Sequence, residues 1–206
     1  MNDDRVGLLS DATLRIVYYP HPTLRYMAKP VRRIDDGLRR LVKRMFELMY
    51  EAKGVGLAAN QVDVPLRLFV VNLAAKPDEG EERVFINPVI SSPQGWEEDE
   101  EGCLSLPGIY APVKRPKRVR VQAFDLGGNE IIEDVSGLLA RVVQHELDHL
   151  DGVLFIDRVD DEEHREEIAR NLAELERRFS EERQAGAVPD DIQIAQRREL
   201  WLKQYA

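Results

Sequence analysis

Cysteine is almost missing from this 206-residue chain: Cys103 is the only one, which excludes an intrachain disulfide. A chain without such a staple must bury a core, and this length suffices for one sizeable domain, or one domain with an appendage. No apolar run approaches the ~20 residues of a membrane-spanning helix. The start, Met1-Asn2-Asp3-Asp4-Arg5, lacks the basic segment and apolar stretch of a secretion signal. These absences together predict a reducing, cytoplasmic location and no membrane contact. Positive charge is in deficit as well. The formal net charge is −9, so the chain as a whole is a poor polyanion binder, and contact with nucleic acid would need a local basic patch. What is present is 43% hydrophobic and 33% charged, the composition of a globular rather than a disordered chain.

Periodicity sketches the elements. Residues 15–19 (RIVYY) predict a strand, and Asp35 and Asp36 cap a helix over 37–52 whose apolar face carries Leu38, Leu41, Val42, Met45, Leu48 and Met49. Residues 54–61 read as a loop, 67–73 and 83–90 as strands, and the acidic stretch 94–102 as irregular. Residues 119–125 and 129–135 form a hairpin around Gly127-Gly128. A second helix covers 137–150, with Ser136 as its cap and Gly152 as its stop, and 153–156 predict a short final strand. Beyond residue 160 the character changes to charge with one narrow stripe of Ile168, Leu172, Leu175 and Phe179, a helix packed along a single seam. A further short helix follows over 191–205.

The second helix contains His145-Glu146-Leu147-Asp148-His149. Residues four apart share a helix face, so His145 and His149 can offer two imidazoles to one ion. Glu146 lies about 100° further round, close to the ion's open side without being a ligand, the place for a base acting on water. Leu138, Val142, Val143 and Leu150 make the helix otherwise apolar, and a buried His or Glu needs a partner.

Two imidazoles do not complete a metal site. Gly152 and Phe155 stand where one zinc-peptidase pattern carries its glycine and third histidine, and phenylalanine cannot ligate. Glu166 or Glu167 would serve a class that takes a glutamate from a following helix, while Cys103 in Glu101-Gly102-Cys103-Leu104-Ser105 offers a thiolate that a metal would deprotonate. The segment Gly54-Val55-Gly56-Leu57-Ala58-Ala59-Asn60-Gln61 fits a loose dinucleotide fingerprint, but a helix precedes it where a strand is required. Its glycines admit a close substrate backbone, and the Gln61 amide can donate to a developing oxyanion.

GVGLAANQ (54–61), EGCLS (101–105) and QHELDH (144–149), in this order and at these separations, resemble the three signature segments of peptide deformylase. The resemblance spans about residues 15–157 and implies an α+β fold, with antiparallel sheets around a central metal-binding helix. It implies hydrolysis of the formyl group from the N-terminal formyl-methionine of newly made proteins, releasing formate. It also implies that Cys103, His145 and His149 hold one divalent ion that activates water. Fe²⁺ is favoured as the native ion, and Zn²⁺, Ni²⁺ or Co²⁺ can substitute. By the same resemblance Glu146 moves the proton, while Gln61 and the backbone N–H of Leu104 face the oxyanion.

Leu138, Arg141 and Val142 lie seven, four and three residues before His145 on its helix face, and with Val55 and Gly56 they are expected to line the substrate pocket. The Arg141 stem would form wall while its head reaches water. Glu101 and Arg115 are expected to pair and support the cysteine loop. The chain thus divides into a catalytic domain, residues 1–159, and a charged helical C-terminal extension, residues 160–206. N-formylmethionyl peptides and nascent chains are the expected partners, which places the enzyme near the ribosome. Some relatives dock there through a basic C-terminal helix, but residues 160–183 carry ten acids against five arginines. That charge is repelled by RNA, so the stripe is expected to pack on this domain or on a second copy in a homo-oligomer.

Overall fold

The computed structural model describes residues 14–206. Helix α1 (Asp36–Glu51) starts at Asp35, whose carboxylate accepts the Leu38 N–H at 3.0 Å, as its sequence predicts. Strands β1 (Gly56–Ala58), β2 (Leu68–Val71), β3 (Arg83–Gln94), β6 (Arg118–Phe124) and β7 (Glu130–Ser136) form one antiparallel sheet in the order β1-β2-β3-β6-β7. Strands β4 (Glu97–Cys103) and β5 (Leu106–Arg115) form a separate antiparallel pair. Helix α2 (Gly137–Leu150) packs against the large sheet through Ala140, Val142, Val143 and Leu150, which join Phe69, Phe85 and Val121 in one core cluster. Helices α3 (Glu162–Gln184) and α4 (Asp191–Tyr205) follow. The fold is α+β, with antiparallel sheets around the helix that carries both histidines and a helical C-terminal extension.

Four local expectations are corrected. Residues 15–18 form no strand: Val17 N–H bonds the Gln61 carbonyl at 2.8 Å and Tyr19 N–H bonds the Ser105 carbonyl at 2.9 Å, so the segment bridges two partners instead of joining one ladder. The loop 54–61 contains β1, recruited by pairing with β2. The acidic stretch is the regular strand β4. Carboxylates are poor strand formers, but β5 supplies the template, with Glu98 opposite Lys114 and Glu101 opposite Ala111. Residues 155–158 turn into a short 3₁₀ helix, because the Asp157 carboxylate accepts the Leu154 N–H at 2.8 Å and closes the turn. Ser136 sits at the start of α2 but makes no side-chain cap bond.

The extension packs on its own domain. Ile168, Leu175 and the half-buried Leu172 of α3 meet Leu106, Ile109 and Phe155. Trp201 and Tyr205 of α4 are buried in the cluster of α1. The Tyr205 carbonyl accepts the Arg32 N–H at 2.7 Å, and its hydroxyl donates to Asp35 at 3.1 Å, the residue that caps α1.

Candidate metal centre

Three segments meet at one point. The turn between β4 and β5 brings Cys103 to α2, where its Sγ lies 3.2 Å from His149 Nε2. The ligand atoms of Cys103, His145 and His149 all lie within 4.8 Å of one another. A tetrahedral ion with sulfur at about 2.3 Å and nitrogens at about 2.0–2.1 Å holds its donors about 3.5 Å apart, so this cluster fits a metal. The thiolate–imidazole set suits Zn²⁺, Fe²⁺, Ni²⁺ or Co²⁺. Glu166 and Glu167 stand exposed on α3, outside the cluster, and Phe155 stacks its ring on His145 with centroids 6.1 Å apart.

The Cys103 sulfur also accepts the Ser105 N–H at 3.4 Å and the Gln61 Nε2–H at 3.4 Å. Gln61 is held for this by its own backbone turn, since its Oε1 accepts the Ala58 N–H at 2.8 Å while its Nε2 also donates to Ser105 Oγ at 3.2 Å. Asn60, fully buried beside it, donates to the His149 carbonyl at 2.9 Å and ties the first segment to the ligand helix.

Behind the ligands lies a buried ionic network. His145 Nδ1 is 3.0 Å from Glu101 Oε2, which leaves Nε2 for an ion. Arg115 donates to both Glu101 oxygens at 2.5 and 2.8 Å, and to Asp148 at 2.8 Å. Arg158 closes the far side on Asp148. Burial alone would raise the Glu101 pKa, but hydrogen bonds from Arg115 and His145 overcome it and hold the group at about 2. Burial likewise opposes a charge on His145, yet Cys103 and Glu101 beside it pull its pKa up to about 10. Metal ligation requires that nitrogen to be free, so an ion competes here with a proton. Burial drives His149 well below the ordinary histidine range and keeps it neutral, as a ligand must be.

Glu146 is buried against β1, and one of its oxygens has no hydrogen-bond partner. Burial pushes its pKa up to about 7, the range of a group that exchanges protons near neutrality. Gly56 makes room for it: a Cβ there would sit 2.4 Å from Glu146 Oε1 and 2.9 Å from Val142 Cγ1. Glu146 and His145 open into a cavity of about 660 Å³ that also exposes Cys103, Gln61 and Leu104. Val55, Gly56, Leu138, Arg141 and Val142 all line it, with Leu138 half in solvent at the rim. The Arg141 head turns mostly inward instead of into open water. It donates to Glu101 at 2.6 Å and to the carbonyls of Val113 and Glu97 at 2.9 and 3.1 Å, leaving its side chain only 11% exposed. The neighbouring carboxylate and the bare carbonyls of β4 and β5 supply the partners that solvent was expected to supply.

Asp148 and Asn60 were not singled out by sequence. Asp148 offered a signal, an acid on an otherwise apolar helix that had to find a cation. Asn60 offered none beyond its place in GVGLAANQ. His21, buried at 4% exposure, and His164, bonded to Asp161, lie outside the centre.

The polypeptide deformylase family model matches residues 13–165, most of the chain. The chain belongs to this family. Deformylases are metal-dependent hydrolases that remove the N-formyl group from nascent proteins, and the Cys103/His145/His149 cluster is the corresponding metal-binding group. A peptide deformylase of Rhodopirellula baltica is 48% identical over 192 residues, covering 93% of this chain and 95% of its own length. That of Neisseria gonorrhoeae is 51% identical over 148 residues, covering 72% of this chain and 87% of its own. Among solved structures, a plant peptide deformylase superposes with a TM-score of 0.79 at 42% identity, covering 87% of this chain and 96% of that one. Among the described residues no helix is long and apolar enough to cross a membrane.

Proposed function

We propose that this deformylase works through the residues gathered around the 660 Å³ cavity. Cys103, His145 and His149 would hold the ion, with Fe²⁺ as the native metal and Zn²⁺, Ni²⁺ or Co²⁺ able to replace it. When bound, the ion supplies Lewis-acid chemistry, polarising the formyl carbonyl and acidifying water. Glu146 accepts the attacking water's proton and passes it to the departing amine, which frees the N-terminal methionine. The Gln61 amide and the Leu104 N–H donate to the oxygen on which charge develops. Val55, Gly56, Leu138, Arg141 and Val142 enclose the methionine side chain. Glu101 fixes the His145 ring, and Arg115 fixes Glu101. The observation that carries this reading is the buried Glu146 carboxylate, one oxygen unpartnered, in the same cavity as Cys103 and His145, whose ligand atoms cluster with that of His149 behind them.

The division into a catalytic unit, residues 1–159, and an appendage, residues 160–206, goes with this reading. So does action on N-formylmethionyl nascent chains in a reducing cytoplasm, near the ribosome but without a basic tail to hold it there. Assembly of copies through the appendage has less support, because α3 and α4 spend their buried side chains on their own domain. The deciding experiment measures bound metal and formate release from a formyl-methionyl peptide. Glu146→Ala should retain its metal and lose turnover by about 10²–10⁴-fold. Near-normal formate release by that variant would remove Glu146 from the chemistry.

A further inference from the structure

A second cavity, of about 480 Å³, lies between the appendage and the catalytic domain. Leu175 and Phe179 of α3 and Val188 of the turn before α4 form one wall, and residues 15–19 form the other. Tyr18 and Pro107 line both this cavity and the one around the metal ligands. The two hollows therefore adjoin. Their shared edge is fixed by the motif segments themselves, because Val17 and Tyr19 on either side of Tyr18 bond to Gln61 and Ser105. The appendage is held at this edge by Tyr19 donating to Glu176 at 3.1 Å and by Phe179 meeting the His21 ring edge-on at 6.2 Å.

We infer that this second cavity is a distal subsite for the downstream residues of the formyl-peptide substrate, an inference that rests on the deformylase reading of the first cavity. Compact cavities of these volumes are each about 10 Å across, and an extended peptide of about eight residues, rising ~3.3 Å per residue, spans both. Leu175, Phe179 and Val188 give the subsite an apolar wall, while Arg15, Arg178 and Glu182 at its border set no single charge preference. Its ligand class is thus an extended chain with an apolar side chain several residues after the methionine. Continuity with the substrate cavity favours this occupant over a separate protein.

The test compares the metal-loaded enzyme on formyl-Met-Ala and on a formyl octapeptide with leucine near its far end. Burying one such side chain should raise kcat/KM for the long peptide about tenfold, chiefly through KM, because this contact is the same in ground and transition states. Phe179→Ala removes part of the wall and Val188→Phe fills the space. Each should abolish the length gain and leave formyl-Met-Ala hydrolysis unchanged, with retained thermal melting showing that the variant folds. Absence of any length gain in the wild type overturns the inference, as does a gain untouched by Phe179→Ala. Concentration-dependent self-association abolished by Phe179→Ala also overturns it, by making the cavity an interface between copies. In each of these cases wild-type turnover of formyl-Met-Ala still stands for the deformylase site, so the two readings fail separately.

Discussion

Replacing Arg115 with leucine removes one cation from the buried network and leaves two carboxylates facing the gap. Arg115 is 3% exposed in its side chain and bonds both Glu101 and Asp148. Removing one partner of a buried ion pair costs about 3–5 kcal/mol, chiefly because the other charge is stranded. Glu101 keeps Arg141 and His145, and Asp148 keeps Arg158, so the loss should fall at the lower end, about 3 kcal/mol. The Glu101 titration gives a comparable ceiling, because Arg115 shares the effect with His145. Its carboxyl is held at about 2 against an ordinary value of 4.5, and at 1.36 kcal/mol per unit this contributes about 3 kcal/mol. A depressed carboxyl stabilises the fold fully above 4.5, and that contribution is lost as pH falls through 4.5 towards 2. The stability gap between wild type and Arg115→Leu should therefore be widest near neutrality and shrink on acidification. Urea denaturation of the metal-free proteins, from about pH 6 down to about pH 3, reads both quantities. A gap below about 1 kcal/mol near pH 6, or one that stays constant on acidification, would refute the reasoning. The same variant should bind metal about 10–100-fold more weakly, since the His145 ring loses its fixed support.

Other outcomes follow from close contacts and charge. Gly56→Ala forces a methyl into the space of Glu146 Oε1 and should lower kcat/KM about a hundredfold with metal content preserved, and unaltered kinetics would show that Glu146 does not depend on the close approach of β1. Trp201→Ala opens the core where α4 meets α1 and should cost about 3–5 kcal/mol in denaturant melts while sparing turnover of short formyl peptides well below the melting temperature. Co-sedimentation with ribosomes should show no salt-sensitive component that disappears on removal of residues 160–206, and strong binding of that kind would defeat the charge argument.

Much of the centre was legible along the chain because helical geometry is local. His145 and His149 share a face by spacing alone, Glu146 falls beside them, and Asp35 caps α1 with no help from distant residues. The β6–β7 hairpin was equally local, announced by Gly127-Gly128 between two alternating runs. Identifying Cys103 as the third ligand took three separated segments considered jointly, since a lone cysteine carries no geometry of its own. Tertiary pairing decided the rest. Strand β4 exists because β5 offers a register and cations to a run of acids whose own propensity disfavours it. Arg141 turns inward because Glu101 and two carbonyls surround its head, partners that lie about 30–45 residues away in sequence. Asp148 became part of the site's support only once folding brought Arg115 and Arg158 to it. The stripe on α3 announced a packing seam, but no periodicity could name its partner. Contacts between remote segments chose the chain's own domain, and in doing so placed the appendage beside the cavity into which Glu146 opens.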